Sequence, residues 1–320
     1  MNTIHGAVIK VEGLTKYYDT RAAIQDVTFS VPRGQVLGFL GPNGAGKSTT
    51  MRILAGFLGA SSGRASVAGF DVFEHSLEAR RRIGYLPEST PLYNEMRVRG
   101  YLQMMCKLRG VGPSKRKASI DHAIEVCGLT QRRTEVIGRL SRGLRQRVGL
   151  AQAIVHDPEV LILDEPTAGL DPAQTRETRD LIRELGREHT VILSSHILPE
   201  VAATCQRVLI ISQGRIVADD TPEGLALRLT SGHGNEVAMI VRGPGDLVRI
   251  GLSSIPGIEE ISITPAGEGL WRVVIKSESA DLREDLARVA VQSGFGLREL
   301  QARTLSLEDV FLRLTTEEHA

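Results

Sequence analysis

Over the first 230 residues, short apolar blocks alternate with stretches in which apolar residues recur every three or four positions. Val36-Leu37-Gly38-Phe39-Leu40, Val160-Leu161-Ile162-Leu163, Val191-Ile192-Leu193 and Val208-Leu209-Ile210-Ile211 are strand-sized and apolar without interruption. That pattern predicts strands buried within a sheet. Ile53, Leu54, Phe57 and Leu58 follow a Gly-rich turn at helical spacing. A second helix, bearing Leu181, Ile182 and Leu185, follows Asp171-Pro172, which reads as an N-cap and a first-turn proline. The alternation predicts an α/β domain with a largely parallel central sheet. From about Asn94 to Leu140 the strand blocks lapse, while Ile120, Ile124 and Val126-Cys127 keep helical spacing. This stretch is expected to be a helical insertion in the α/β core.

The pattern changes at Thr230-Ser231-Gly232-His233-Gly234, a short Gly-containing segment that reads as a linker. Beyond it, strands are expected over 236–242, 258–264, 270–276 and 297–303. Helices are expected from about Asp246 and over 280–292, with Leu282, Leu286 and Val289 on one face, and a last helix from Ser306. The order βαββαβ is that of a ferredoxin-like split unit. The expected domains are therefore 1–230 and a smaller α+β domain over 231–320. Trp271, in an alternating strand, is expected to pack in the small core.

Composition narrows the function classes. The 320 residues carry 39 Lys+Arg against 38 Asp+Glu, a formal charge of +1, with 42% hydrophobic and 24% charged residues. This excludes wholesale disorder, a collagen-like fibre and a polybasic nucleic-acid coat. The apolar blocks fall far below the ~18–20 residues that a membrane-spanning helix needs. Asn2, Thr3 and His5 interrupt the start of the chain, which lacks an apolar signal core, so an unexported protein is expected. Cys106, Cys127 and Cys205 are widely spaced and form no CxxC pair. They read as small buried hydrophobes in a reducing compartment rather than as disulfide or zinc ligands. Arg80-Arg81-Arg82 and Lys115-Arg116-Lys117 read as solvated helix faces, with contact to anionic lipid or a membrane partner as the alternative.

The chemistry is concentrated in two motifs. Gly41-Pro42-Asn43-Gly44-Ala45-Gly46-Lys47-Ser48 fits GxxxxGK[ST] between a predicted strand and a predicted helix. Such glycines let backbone N–H groups turn around phosphate oxygens, and the helix N-terminus adds positive potential. Lys47 can reach β- and γ-phosphates and the Ser48 hydroxyl can ligate Mg²⁺, with Thr49 completing the nucleotide-binding run. Asp164, at the end of the Val160–Leu163 strand, supplies the second metal carboxylate. Glu165 is placed to polarise an attacking water as general base.

With these motifs in order, residues 7 to 230 resemble the ATP-binding cassette (ABC) ATPases, P-loop nucleotidases with a helical insertion. Leu14-Thr15-Lys16-Tyr17-Tyr18-Asp19 resembles the family's aromatic loop, which implies that Tyr18 stacks on adenine, with Tyr17 the rival ring. Leu140-Ser141-Arg142-Gly143-Leu144 resembles the LSGGQ signature, with Arg142 in place of its first glycine and Leu144 in place of its glutamine. The resemblance implies that Ser141, Arg142 and Gly143, at a helix N-terminus, meet the γ-phosphate of ATP on the opposite subunit. Gly169-Leu170-Asp171 resembles the D-loop, which implies that Asp171 lies at a dimer interface. Ser194-Ser195-His196 resembles the switch-histidine region, which implies that His196 bonds the γ-phosphate and holds water in line. Ile83-Gly84-Tyr85-Leu86-Pro87-Glu88 stands where the family has its Q-loop, so Glu88 replaces a glutamine near the metal.

The YLPE sequence and the tail Leu305-Ser306-Leu307-Glu308-Asp309-Val310-Phe311 resemble ATP-binding subunits of bacterial drug-export and gliding-motility systems. The resemblance implies an ATPase using ATP and Mg²⁺. It implies a partner copy, most simply a homodimer, and a separate integral-membrane permease, with the chain peripheral on the cytoplasmic face of the membrane. No nucleic-acid partner is expected. The alternatives are a soluble ABC ATPase acting on ribosomes or nucleic acid, and a poorly hydrolysing regulatory module. Against them stand the single cassette without heptads, the near-zero net charge, and the presence of Lys47, Asp164, Glu165 and His196.

Overall fold

The computed structural model describes residues 6–225, 235–277 and 282–303. Contacts divide the chain into two units between Pro222 and Glu223. The boundary expected near residue 230 and the helix expected from Ser306 lie outside the described residues.

In the first unit, strands β3 (Val36–Leu40), β6 (Ile83–Leu86), β7 (Val160–Leu163), β8 (Thr190–Ser195) and β9 (Arg207–Ser212) join edge strand β10 (Arg215–Asp220). The sheet runs β10-β9-β3-β8-β7-β6. All its pairs are parallel except that of β10 with β9. Every residue of β3, β6, β7 and β8 is buried. That is why these segments read as unbroken apolar blocks rather than as alternating ones.

A second sheet is antiparallel, in the order β2-β1-β4-β5, from β1 (Ala7–Tyr18), β2 (Arg21–Pro32), β4 (Ser62–Val67) and β5 (Phe70–Asp71). Val8, Ile9, Val11 and Leu14 of β1 and Val27, Phe29 and Val31 of β2 share one core with Phe39, Leu209 and Ile211 of the parallel sheet. The β1–β2 register shifts at several points. Each shift moves later side chains to the other face, so β1 lacks clean alternation.

Helix α1 (Lys47–Leu54) ends before Phe57 and Leu58, which corrects the longer helix expected there. Gly56 takes φ +72°. Its N–H donates to the Ile53 carbonyl at 3.0 Å, and the Phe57 N–H donates to Arg52 at 2.9 Å. This is a Schellman stop, and it leaves Phe57 68% exposed.

After α2 (Ser76–Arg81), helices α3 (Val98–Leu108) and α4 (Pro113–Val126) form the helical segment between β6 and β7. Its neck is pinned where the Ile137 N–H donates to Met96 at 2.9 Å and the Gly138 N–H to Asn94 at 2.8 Å. Helix α5 (Arg142–Ile154) leads back into β7. Helix α6 (Pro172–Leu185) begins at Asp171, whose Oδ1 accepts from the Gln174 N–H at 2.9 Å, and buries Leu181, Ile182 and Leu185. Helix α7 (Leu198–Thr204) follows β8.

The second unit contains β11 (Asn235–Arg242), α8 (Gly245–Ser253), β12 (Ile258–Gly267), β13 (Leu270–Ser277), α9 (Arg283–Gln292) and β14 (Gly296–Arg303). Its sheet is antiparallel in the order β12-β13-β11-β14, the split βαβ arrangement expected from the element order. Val237, Met239 and Val241 alternate inward and pack with Val273, Ile275, Leu252 and Leu286. Trp271 packs at the margin of this core. Its indole N–H donates to the Gly243 carbonyl at 2.9 Å. Cys106, Cys127 and Cys205 are buried free thiols.

Candidate functional site

The site forms where three neighbouring parallel strands end together. Leu40 of β3 is paired with Ser195 of β8, and Leu193 of β8 with Leu163 of β7. Parallel register therefore brings the loop after β3, the carboxylates after β7 and the histidine after β8 to one sheet edge. The carboxyl ends of parallel strands are the usual binding edge of such sheets.

The loop is shaped by glycines that tolerate no side chain. A Cβ on Gly41 would overlap the Ile211 carbonyl, and one on Gly46 would lie 2.6 Å from Ile24 and 2.7 Å from the Ala23 carbonyl. Gly44 and Gly46 also take φ +81° and +111°, which L-residues adopt only with strain. Gly46 caps α1 without any side-chain bond, and the first turn of α1 has no acidic residue. The helix N-terminus thus keeps its N–H groups and positive potential for an anion. The Lys47 Nζ donates to the Gly41 and Pro42 carbonyls at 2.7 and 3.2 Å. Asn43 is exposed, Ala45 is buried, and Thr49 is half-buried beside Ser48.

Asp164 is fully buried. Its Oδ1 accepts from Ser48 at 3.1 Å and from Ser194 at 2.6 Å. Its Oδ2 is buried without a hydrogen-bond partner. A buried carboxylate oxygen left open beside a serine hydroxyl fits a hard cation. Mg²⁺ uses one or two protein oxygens and completes its shell with phosphates and water. Among the described residues no cluster of three His, Cys, Asp or Glu side chains is placed to hold a metal ion.

Glu165 adopts φ +49°, a left-handed conformation that is unusual for a side chain of this length. Its N–H donates to Ser194 Oγ at 2.9 Å. One carboxylate oxygen lies 3.4 Å from Lys47 Nζ, and the other bonds His196 Nδ1 at 2.9 Å. The Glu165 side chain is 9% exposed and that of His196 46%. Glu165 is therefore a nearly buried carboxylate, anchored through its backbone and shared between a cation and an imidazole. Ser194 ties Asp164 to Glu165. In the sequence Ser194 stands only as part of the histidine motif, and its signal is a polar residue at the end of a buried strand.

A second cluster surrounds the start of α5. Ser141 Oγ accepts from the Leu144 N–H at 3.3 Å, an N-cap. Arg142 Nη2 donates to the Ala168 carbonyl at 2.9 Å, and Gln146 Nε2 to the Pro166 carbonyl at 2.9 Å. Gly143 is buried, and a Cβ there would stand 2.6 Å from Gln174 Oε1. The signature-like turn thus rests on the segment joining Glu165 to Asp171. Gln146 ends the signature-like run over 140–146, whereas Gln174 belongs to no local motif.

The remaining candidates stand at the rim. Glu88 is exposed two residues beyond β6. Leu86, the last residue of that strand, accepts from the Asp164 N–H at 2.8 Å. Tyr17 and Tyr18 end β1 at the hairpin tip, equally half-exposed, with Lys16 Nζ 5.7 Å from the Tyr18 ring centre. On the adjoining strand, Ala23 and Ile24 pack against Gly46, which sets the hairpin beside the loop.

Residues 24–168 match the family described as ABC transporter. Among known proteins, the chain is similar to the bacitracin transport ATP-binding protein BcrA of Bacillus licheniformis, 38% identical over 66% of this chain and 69% of that protein. It is similar to the Nod factor export ATP-binding protein I of Burkholderia orbicola, 34% identical over 98% of each chain. Among solved structures it is similar to cbiO1 of Clostridium perfringens, part of the ABC transporter complex cbiONQ. That match is 28% identical with a TM-score of 0.65, covering 70% of this chain and 92% of the other.

Proposed function

The chain belongs to the ABC transporter family as an ATP-binding subunit whose ATP hydrolysis is coupled to transport, and we propose that it drives export by closing around two ATP molecules with a second copy of itself. The observation that carries this reading is the position of Glu165 between Lys47 and His196, beside an Asp164 with one open buried oxygen.

Phosphate oxygens compete with the Gly41 and Pro42 carbonyls for Lys47, and the free N–H groups opening α1 bind them. Ser48 and Asp164 would hold Mg²⁺, with Glu88 at the rim, and the bound ion would supply neutralisation of the phosphate charge. Glu165 accepts the proton of the attacking water as its oxygen bonds to phosphorus. His196, oriented through Nδ1, holds the γ-phosphate and the water in line. Tyr18 offers a ring face to adenine. Ser141, Arg142 and Gly143 open the helix that faces the nucleotide on the partner, and Asp171 lies beside that contact.

No described helix is long and apolar enough to cross a membrane. The membrane passage is assigned to a separate permease, with this subunit on the cytoplasmic face. A groove of about 330 Å³ lined by Phe57, Leu77, Tyr85 and Leu108 with Arg80 and Arg109 offers that permease an apolar floor and a basic rim. Export, rather than import, is supported by the Nod factor export relative, which aligns over 98% of each chain.

The test is Glu165→Gln. We expect ATP binding to persist while turnover falls by about 100-fold or more. Near-normal hydrolysis would contradict the assignment of the base.

A further inference from the structure

We infer that Arg142 is a positioning residue that ties the start of α5 to the D-loop of its own chain, so that engagement of the partner's ATP sets the general base of this chain. The inference rests on the reading that the α5 N-terminus serves the partner's nucleotide.

Arg142 is the first residue of α5, and that turn has no acidic residue. A cation there opposes the helix macrodipole, so an interaction elsewhere has to hold it. The structure provides one. Its Nη2 donates to the Ala168 carbonyl at 2.9 Å. The Ala168 N–H in turn donates to the Glu165 carbonyl at 3.0 Å. Two hydrogen bonds in series therefore connect the signature-like turn to the backbone of the general base.

The neighbouring residues are shaped around this contact. Gly169 takes φ +69°, and a Cβ on it would overlap the Arg142 guanidinium. Gln146 holds the Pro166 carbonyl at 2.9 Å, one residue after Glu165. Glu165 itself sits at φ +49°, a conformation that persists only when its surroundings fix it. The α5 turn thus grips the 166–169 segment at two carbonyls. A small tilt of α5 as its N-terminus closes on a phosphate is carried directly to Glu165. The glycine usual at this signature position has no side chain with which to make the link.

The experiment uses full-length heterodimers in which one chain carries Glu165→Gln, so that both sites hold ATP and only the other chain's site turns over. Ser141→Ala on the Glu165→Gln chain is the control for the trans arrangement, and it should abolish most of the remaining turnover. Arg142→Ala is then placed on either chain. On the chain with the intact Glu165, we expect kcat to fall about tenfold, the scale of a slightly misplaced base, with the KM for ATP nearly unchanged. On the other chain the drop should be several times smaller. Arg142→Lys, which keeps a donor, should recover part of the loss.

A drop confined to the Glu165→Gln chain would overturn the inference and make Arg142 a ligand of the partner's phosphate. Equal drops on both chains, or a loss carried by KM alone, would overturn it too. No effect of the Ser141→Ala control would instead overturn the trans reading on which it rests.

Discussion

Helices α1 and α5 both begin at a glycine-containing turn, yet they are finished differently. The N-terminus of α1 has no side-chain cap, and around it Lys47, Ser48, Asp164, Ser194, Glu165 and His196 converge within one chain. The N-terminus of α5 is capped by its own Ser141 and strapped through Arg142 and Gln146 to the segment after Glu165. On the proposed reading, the first site supplies the groups that bind and cleave a nucleotide, and the second supplies the missing wall to a partner copy. The difference would let a subunit bind ATP alone and still need a partner for efficient turnover.

That contrast can be broken from either side. The largest effect after loss of Glu165 should come from Gly46→Ala. The new Cβ meets Ile24 and the Ala23 carbonyl at a φ of +111°, a strain of about 2 kcal/mol or more. ATP binding, read by titration with a fluorescent nucleotide, should be lost, while a change at the α5 turn such as Ser141→Ala should leave binding to the single chain intact.

Ser194→Ala should come next. It leaves the Glu165 N–H without its acceptor and removes a donor from Asp164, which costs about 1–3 kcal/mol for buried groups. Turnover should fall more than ATP affinity, as separate kcat and binding measurements would show. Asp171→Ala removes the cap of α6, and a loss of about 1 kcal/mol is expected from the denaturation midpoint.

The smallest effect is confined to acid. Burial, reinforced by the nearby Arg109, pushes the His156 pKa down from 6.5 to about 4, while its Nε2 meets the Ile83 carbonyl at 3.1 Å. Between those values the unfolded chain binds a proton that the folded chain refuses, so stability falls as pH drops from about 6.5 towards 4. His156→Gln should flatten that limb of the stability profile and leave neutral stability nearly as it was, measured as denaturation midpoint against pH.

How much of this was readable from the chain follows from how local each feature is. The phosphate loop, Asp164, Glu165 and His196 sit at the ends of unbroken apolar strands, so sequence order alone marked them and the parallel sheet. Asp171-Pro172 foretold the start of α6, and the element order foretold the split βαβ unit. The antiparallel β1–β2 pair was not predicted, although Val27, Phe29 and Val31 of β2 alternate inward with Thr28 and Ser30 between them. Phe57 was assigned to a helix that Gly56 ends first. The left-handed turn at Glu165 and the Arg142 contact with Ala168 depend on groups brought together only by the fold, and no spacing rule encodes them. Arg142 did stand out as a departure from the signature, but its destination within the same chain was visible only in three dimensions.

The claim that each ATP site needs a wall from the other copy is tested most directly by mixing two inactive full-length variants, Lys47→Ala and Ser141→Ala, and measuring ATP hydrolysis. In a mixed dimer the phosphate loop of the Ser141→Ala chain faces the intact α5 turn of the Lys47→Ala chain. The account predicts that the mixture recovers activity that neither variant has alone. A mixture as inactive as its two components would contradict it.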